Sequence, residues 1–313
     1  MKSYFGIIFS TFYALIFRIL VEFGILDINS WTYIILVPFV MGYIPFLFDK
    51  KAFMESRLKS VFFPLLSVTL FLFIAFITRL EDLGCFILLF PPYVFFSVIL
   101  SFIFRHLLNA DDSNFSNKLN KNSLLILVLP ILLGNIEKHI VKKESQLTVS
   151  QKNIINAPKE KIWNHLFSVP DLTHYVEKST FNYFGFPNPI KSEYDQQSNT
   201  RLGYFSNGII LNESVVESKH LEELSFKINV EKSNLKSSQT FNHILRNKNL
   251  IFDNITYKLR SLDENTTELT LVCDYKVKSN IPFYGEFWSK NIILDFEHKL
   301  LNALKRQNEI QIH

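Results

Sequence analysis

Hydrophobic and polar positions divide this chain near residue 141. Before that point long apolar runs alternate with short polar connections; after it, apolar residues recur every second position and finally every third or fourth. Five apolar runs can be marked, at residues 4–26, 31–48, 60–78, 84–104 and 123–141. Four of them have the about 18 residues or more that crossing a hydrocarbon core requires. In the fifth, the clean apolar part from Leu124 to Ile136 has the length of a buried soluble helix, so it spans only if Glu137, Lys138 and His139 lie among lipid headgroups. Repeated runs of this kind do not fit a cleaved signal peptide.

Beyond residue 141 the period changes. Leu147 and Val149 alternate with polar residues in the manner of a half-buried strand. Pro158 then opens a short amphipathic helix with Ile162, Trp163, Leu166 and Phe167 on its apolar face, and Pro170 is placed to open a second. The run FNYFGFPNPI, residues 181–190, reads as an apolar loop. Strands are expected in RLGYFSNGIILNESVVESK, LEELSFKINVE, TFNHILRN, LIFDNITYKLRSL and TELTLVCDYKVKS. Asn207-Gly208 marks a hairpin, because both residues tolerate the positive φ of a type I′ turn. In the last strand Leu269, Leu271, Cys273, Tyr275 and Val277 share one face. A final helix carries Phe287, Trp288, Ile292, Leu294, Asp295, Phe296, Leu300, Leu301 and Leu304 on a broad stripe, with Lys290, Glu297, Lys305 and Arg306 assigned to the opposite side. The stripe requires the helix to lie across the concave face of the sheet. The predicted fold is therefore α+β, a helix-grip antiparallel sheet with a long C-terminal helix, preceded by an all-α transmembrane region. Residues 1–141 form the helical region and 142–313 the second domain, with almost no linker between them, so this domain is expected near the bilayer surface.

Charge follows the same division. Residues 1–141 hold 11 Lys+Arg and 9 Asp+Glu, and residues 142–313 hold 22 and 20. A net charge of +4 gives no basis for a nucleic-acid partner. Lys50, Lys51, Arg57 and Lys59 fill one connection between runs, and Arg105, Lys118 and Lys121 another. By the positive-inside rule these face the cytoplasm together with Lys2. Five crossings then put the C-terminal domain outside the cytoplasm, and four put it inside. Arg18 and Glu22, four apart in the first run, can pair on one helical face. Cys85 and Cys273 are too few for a disulfide framework and read as buried hydrophobes.

No metal-ligand spacing, Gly-rich phosphate loop, GxSxG elbow or CxxC occurs, so no metal or cofactor is expected. His165 and His174 have no partner at useful spacing. Among the histidines His243, in a strand by its pattern, is the one candidate acid or base. Arg201 and Glu213 flank the Asn-Gly turn, where they could hydrogen-bond a ligand's polar group, move a proton, or pair with each other across the hairpin. Trp163, Phe205, Phe226, Tyr257 and Trp288 could line a cavity or belong to an ordinary core.

INAPKEKIWNHLFSVP, the FSNGIILNESV and YKLRSLDENTTELTLVCDY hairpins and the long final helix, in that order, resemble the START-like SRPBCC superfamily, which includes polyketide cyclase/dehydrase-like proteins and lipid-transfer domains. GFPNPIKSE and LPILLGNIE look like a bacterial branch with membrane spans before the domain, which implies a bacterial inner or plasma membrane. The resemblance covers about residues 124–309. It implies a deep hydrophobic cavity and a bound lipid, polyketide, steroid or similar molecule, and supplies no catalytic residue. Three functions follow as expectations: a membrane-tethered module that binds or transfers a hydrophobic small molecule or lipid, a cyclase-, dehydratase- or hydrolase-type enzyme acting on one, or a ligand-free structural or interaction protein.

Overall fold

The computed structural model describes residues 2–109, 113–236 and 238–309, and the chain divides into two compact units, Met1–Lys142 and Lys143–His313. The first unit is helical: α1 (Lys2–Glu22), a π-helical turn (Thr32–Leu36) running into α2 (Val37–Phe48), α3 (Lys50–Glu55), α4 (Arg57–Ile77), α5 (Leu83–Asn109) and α6 (Ser113–Glu137). Three helical segments among the described residues are long and apolar enough to cross a membrane: Tyr4–Glu22 with 19 residues, Arg57–Ile77 with 21 and Leu83–His106 with 24. The runs expected at 31–48 and 123–141 fold as shorter apolar helices, Thr32–Phe48 and Leu125–Glu137. Glu137, whose place among lipid headgroups is the condition for the fifth run to span, is buried against the protein. Its carboxylate accepts the N–H groups of Trp31 (2.6 Å) and Thr32 (2.9 Å). It thereby satisfies donors that the start of the second helix leaves without intrahelical partners.

Small and polar residues mark where the helices of this unit meet. Gly42 of α2 lies against the Ser97 backbone of α5, and an added Cβ there would overlap the Ser97 carbonyl. Ser10 donates to the Met41 carbonyl (3.0 Å) and Thr11 to that of Ser67 (3.3 Å). Tyr43, Phe46, Phe53, Phe63 and Phe104 form an aromatic core beside them. The Arg18–Glu22 pair is present at 2.9 Å. Arg18 also donates to Glu81 and to the Leu80 carbonyl (2.6 Å) in the connection between α4 and α5, which the four-residue spacing did not reveal.

The second unit is a seven-stranded antiparallel sheet in the order β1-β7-β6-β5-β4-β3-β2, with β1 (Lys143–Ile155), β2 (Pro189–Asp195), β3 (Thr200–Phe205), β4 (Ile210–Lys219), β5 (Glu223–Asn234), β6 (Leu250–Ser261) and β7 (Thr267–Ser279). Neighbours in sequence pair, except that β1 closes on β7 along its whole length, Lys143 opposite Ser279 and Ile155 opposite Thr267. α7 (Lys159–Phe167) and α8 (Thr180–Tyr183) follow β1, α9 (Gln239–Phe241) and a π-helical turn (Asn242–Arg246) separate β5 from β6, and α10 (Pro282–Glu309) ends the chain. Buried and half-buried residues alternate throughout β7, and the five expected inward residues are all buried. α10 packs across β1 and β7, joining Leu300, Leu301 and Leu304 to Ile162, Trp163 and Leu166 of α7 and to Leu269 and Leu271. This is the α+β helix-grip arrangement.

Local departures have identifiable causes. Asn207 and Gly208 take the expected positive φ, 65° and 73°. The helix expected after Pro170 does not form. Asp171 instead accepts the Thr173 N–H (2.8 Å), a local side-chain bond that competes with helix and leaves a turn. The expected loop at 181–190 contains α8 and the start of β2, and β2 itself was hidden in KSEYD, a short polar edge strand. TFNHILRN is helical rather than a strand: Ser238 accepts the Phe241 N–H (3.4 Å), and Phe241, Ile244 and Leu245 pack together against Ile209 and Leu235.

Candidate functional site

β5 and β6 pair only from Glu223 to Phe226, whereas β6 and β7 stay paired from Leu250 to Ser261. The separation of β5 from β6 beyond Phe226 leaves Ile228, Leu250 and Phe252 facing a space that α10 covers and the 239–246 segment only partly fills. A cavity of about 170 Å³ remains there, bordered by Leu172, Phe186, Phe205, Ile209, Leu211, Ile228, Leu245, Phe252, Ile255, Tyr257, Leu271, Cys273, Ile292, Ile293, Phe296 and Leu300. Gly203 also borders it: a Cβ at this position would lie 3.2 Å from the Phe205 ring and 3.4 Å from Glu213, so glycine keeps both side chains in place.

Arg201 and Glu213 face each other across β3 and β4 and border the cavity. Both are buried, with Arg201 Nε 2.5 Å from Glu213 Oε2. Arg201 Nη1 donates to the Leu166 carbonyl at the end of α7 (2.8 Å), and the guanidinium lies over the Phe226 ring at 3.6 Å and the Tyr257 ring at 5.9 Å. The pair is thus an internal tie between two strands and a helix end. It forms because a buried guanidinium needs a carboxylate and further acceptors to offset desolvation.

The other sequence candidates separate. Phe205 borders the cavity, its ring 5.8 Å from that of Phe296, and Tyr257 borders it from β6. Trp163 packs edge-on to Phe167 and His220 in the main core, Phe226 lies beneath the Arg201 guanidinium, and Trp288 packs against Tyr284 and Phe287 near the start of α10; none of these three borders the cavity. His243 lies in the π-helical turn, outside the cavity wall. His165 Nδ1 lies 2.8 Å from Asn308 Oδ1, and no group of side chains suited to a metal ion occurs among the described residues.

Glu297 is the residue that the sequence pattern misassigned. It is 1% exposed, borders the cavity, and neither carboxyl oxygen has a hydrogen-bond partner among the described residues. Burial pushes its carboxyl up to about 8, so it is largely protonated at neutral pH. Two other wall groups are displaced in the same direction by burial, the Cys273 thiol and the Tyr257 phenol, with the nearby Glu297 carboxyl adding to both shifts. Two residues to either side of it on α10, Lys299 pairs with Asp295 (2.9 Å) and donates to Asn182 Oδ1 (3.0 Å), while Ser179 donates to Asp295 (2.9 Å). Spacing could have located Glu297: Ile293, Glu297, Leu300, Leu301 and Leu304 fall at helical intervals on the buried stripe. Its charge concealed it.

No protein-family model matches the chain, and no curated protein matches it. Solved structures align with about half of it. A START superfamily protein from Mycobacterium smegmatis is 12% identical over 52% of this chain and 97% of that one, with a TM-score of 0.36. The Zhui aromatase/cyclase from Streptomyces sp. R1128 is 12% identical over 54% and 97%, with a TM-score of 0.37. XoxI from Bacillus cereus is 12% identical over 52% and 95%, with a TM-score of 0.34. At these scores the likeness carries no argument about activity, and the helix-grip fold is assigned on this chain's own strand order and final helix.

Proposed function

We propose that this chain is a membrane-anchored protein whose second unit binds or transfers a small hydrophobic molecule. The observation that carries the reading is the cavity between the sheet and α10, about 170 Å³ with almost wholly apolar walls. Side chains normally fill a protein interior to crystal-like density, so a space of this size beside a well-packed core fits a ligand site. For scale, an apolar cavity of about 150 Å³ accommodates one benzene ring. The upward displacement of the Cys273 thiol and the Tyr257 phenol by burial leaves the wall without an activated nucleophile of either kind, which favours binding over covalent chemistry.

Anchoring is supported by the three long apolar helices and by their large outward side chains, among them Tyr4, Phe5, Phe12, Phe62, Phe73 and Phe95, all exposed. Apolar surface on this scale is suited to lipid. The basic connections at 48–60 and 104–123 favour a cytoplasmic place for both, and with α6 as a further crossing the C-terminal unit lies outside the cytoplasm.

The test compares full-length wild type with Ile255→Trp, whose indole would occupy the cavity, each purified in the same detergent and extracted into organic solvent. Annular lipid comes with both proteins. The expected result is a compound in near-stoichiometric amount by mass spectrometry from wild type and depleted in the variant. Identical extracts would overturn the reading.

A further inference from the structure

The polar groups at the cavity wall leave one titratable group unmatched. Lys191 pairs with Glu193 at 2.6 Å, Arg201 with Glu213 at 2.5 Å and Lys299 with Asp295 at 2.9 Å, so each basic residue bordering the cavity has its own carboxylate. Glu297 is left over, buried, with both oxygens unpartnered among the described residues. The groups near it on β6 and β7 are Tyr257, Tyr275 and Cys273. Its neighbours on α10, Asp295 and Lys299, are engaged with each other, and the Arg201–Glu213 pair borders the same cavity from β3 and β4. None of them neutralises the Glu297 carboxylate. Aromatic side chains at Phe205, Phe252, Tyr257 and Phe296 make up part of the remaining wall. Aromatic faces attract cations through their quadrupoles, and a buried carboxylate takes a cation more readily than it takes a neutral group.

We propose that Glu297 is the polar anchor of the cavity and that its ligand is an apolar amine, a single ring or short hydrocarbon chain bearing one ammonium group. This inference rests on the reading that the cavity takes a ligand, and it specifies the ligand's chemistry. The ammonium nitrogen donates to the Glu297 carboxylate, while the hydrocarbon part occupies the space among Phe252, Ile255 and Phe296. An acid of the same shape meets like-charge repulsion once Glu297 is ionised. A neutral alcohol keeps the apolar contacts and loses the charge pairing.

The experiment uses the full-length protein in detergent with four probes of nearly one shape, benzylamine, benzyl alcohol, toluene and benzoate, whose binding is read by ligand-observed NMR against Glu297→Gln in the same micelles. Wild type is expected to hold benzylamine about tenfold or more tightly than benzyl alcohol. Glu297→Gln should lose that preference, read as the ratio of the two affinities within the variant. In wild type the proton on Glu297 competes with the ammonium, so benzylamine should bind more tightly as pH rises from about 6 to about 8, with no such trend for benzyl alcohol. This profile reads the same interaction without relying on the variant to fold. Equal binding of amine and alcohol, an alcohol preference that grows at low pH, or an amine preference that survives Glu297→Gln overturns the assignment of the ligand. Failure of toluene and benzyl alcohol to bind as well overturns the cavity reading with it.

Discussion

Because the fold holds Glu297 with its carboxyl displaced to about 8, stability of the second unit is tied to pH. An ordinary glutamate in the unfolded chain loses its proton near pH 4.3. Between that point and about 8 the folded state keeps a proton that the unfolded state has released, so stability is full below the unfolded value and falls as pH rises through the folded one. Hydrogen exchange of the β6 and β7 amides in the full-length protein should therefore quicken from about pH 5 to about pH 8.5 beyond the intrinsic base catalysis, a loss on the order of a few kcal/mol. Glu297→Gln should flatten the profile and be the more protected protein at the alkaline end; a wild-type profile as flat as the variant's would refute a buried neutral carboxyl. Arg201 supports a second residue-scale test. Arg201→Leu leaves Glu213 buried and unpaired, at a cost of about 3–5 kcal/mol, whereas the double replacement of Arg201 and Glu213 by leucine should cost clearly less. Thermal unfolding followed by tryptophan fluorescence reads the cycle, and additive losses would mean that the pair is not coupled. Arg201 and Glu213 were legible as candidates flanking the turn, but their register was not: a two-residue Asn207-Gly208 turn would set Arg201 opposite Ser214, whereas the three-residue turn Ser206–Gly208 sets it opposite Glu213. Glu297 was misassigned because charge was allowed to outweigh its place on the stripe.

At the scale of elements, legibility followed how far local pattern and tertiary packing agree. β7 and α10 were readable because a period of two or of about 3.6 runs unbroken through 13 and 28 residues respectively. The 240–247 segment was not, since its threonine and isoleucine suit a strand while the spacing of Phe241, Ile244 and Leu245 suits a helix, and burial against Ile209 and Leu235 decided between them. β2 gave no signal because an edge strand with one covered face needs few apolar residues. In the helical unit the pattern marks helices but says little about which faces meet. That information sits in small residues such as Gly42. Gly42→Ala places a methyl group against the Ser97 backbone, which cannot move without moving α5. The expected outcome is a loss of about 1–3 kcal/mol, or several degrees in a detergent melt of the full chain, with Gly42→Leu worse. An unchanged melting temperature for both variants would show that α2 and α5 do not approach this closely.

For the whole molecule the decisive variable is the number of crossings, because each added crossing reverses the side on which the C-terminal unit lies. At about 1.5 Å per residue, Tyr4–Glu22, Arg57–Ile77 and Leu83–His106 come close to or exceed a hydrocarbon core about 30 Å thick, while Thr32–Phe48 falls a few ångströms short and Leu125–Glu137 about 10 Å short. A shortfall of a few ångströms is absorbed by thinning of the bilayer at a fraction of a kcal/mol per ångström. For Leu125–Glu137 the remaining length must come from the polar first half of α6, residues 113–123. At the other end the Glu137 carboxylate is buried and accepts the Trp31 and Thr32 N–H groups. A fifth crossing along α6 is the proposed arrangement, and it would place the second unit outside the cytoplasm. Alkaline phosphatase fused after Lys143 should accordingly be active in a bacterial host, and a fluorescent protein that matures only in the cytoplasm should be dark at the same point. The opposite pair of results would mean four crossings and a cytoplasmic cavity. Fusions within the 104–123 connection supply the internal control: fluorescence there together with phosphatase activity after Lys143 requires the chain to cross once between them, along α6.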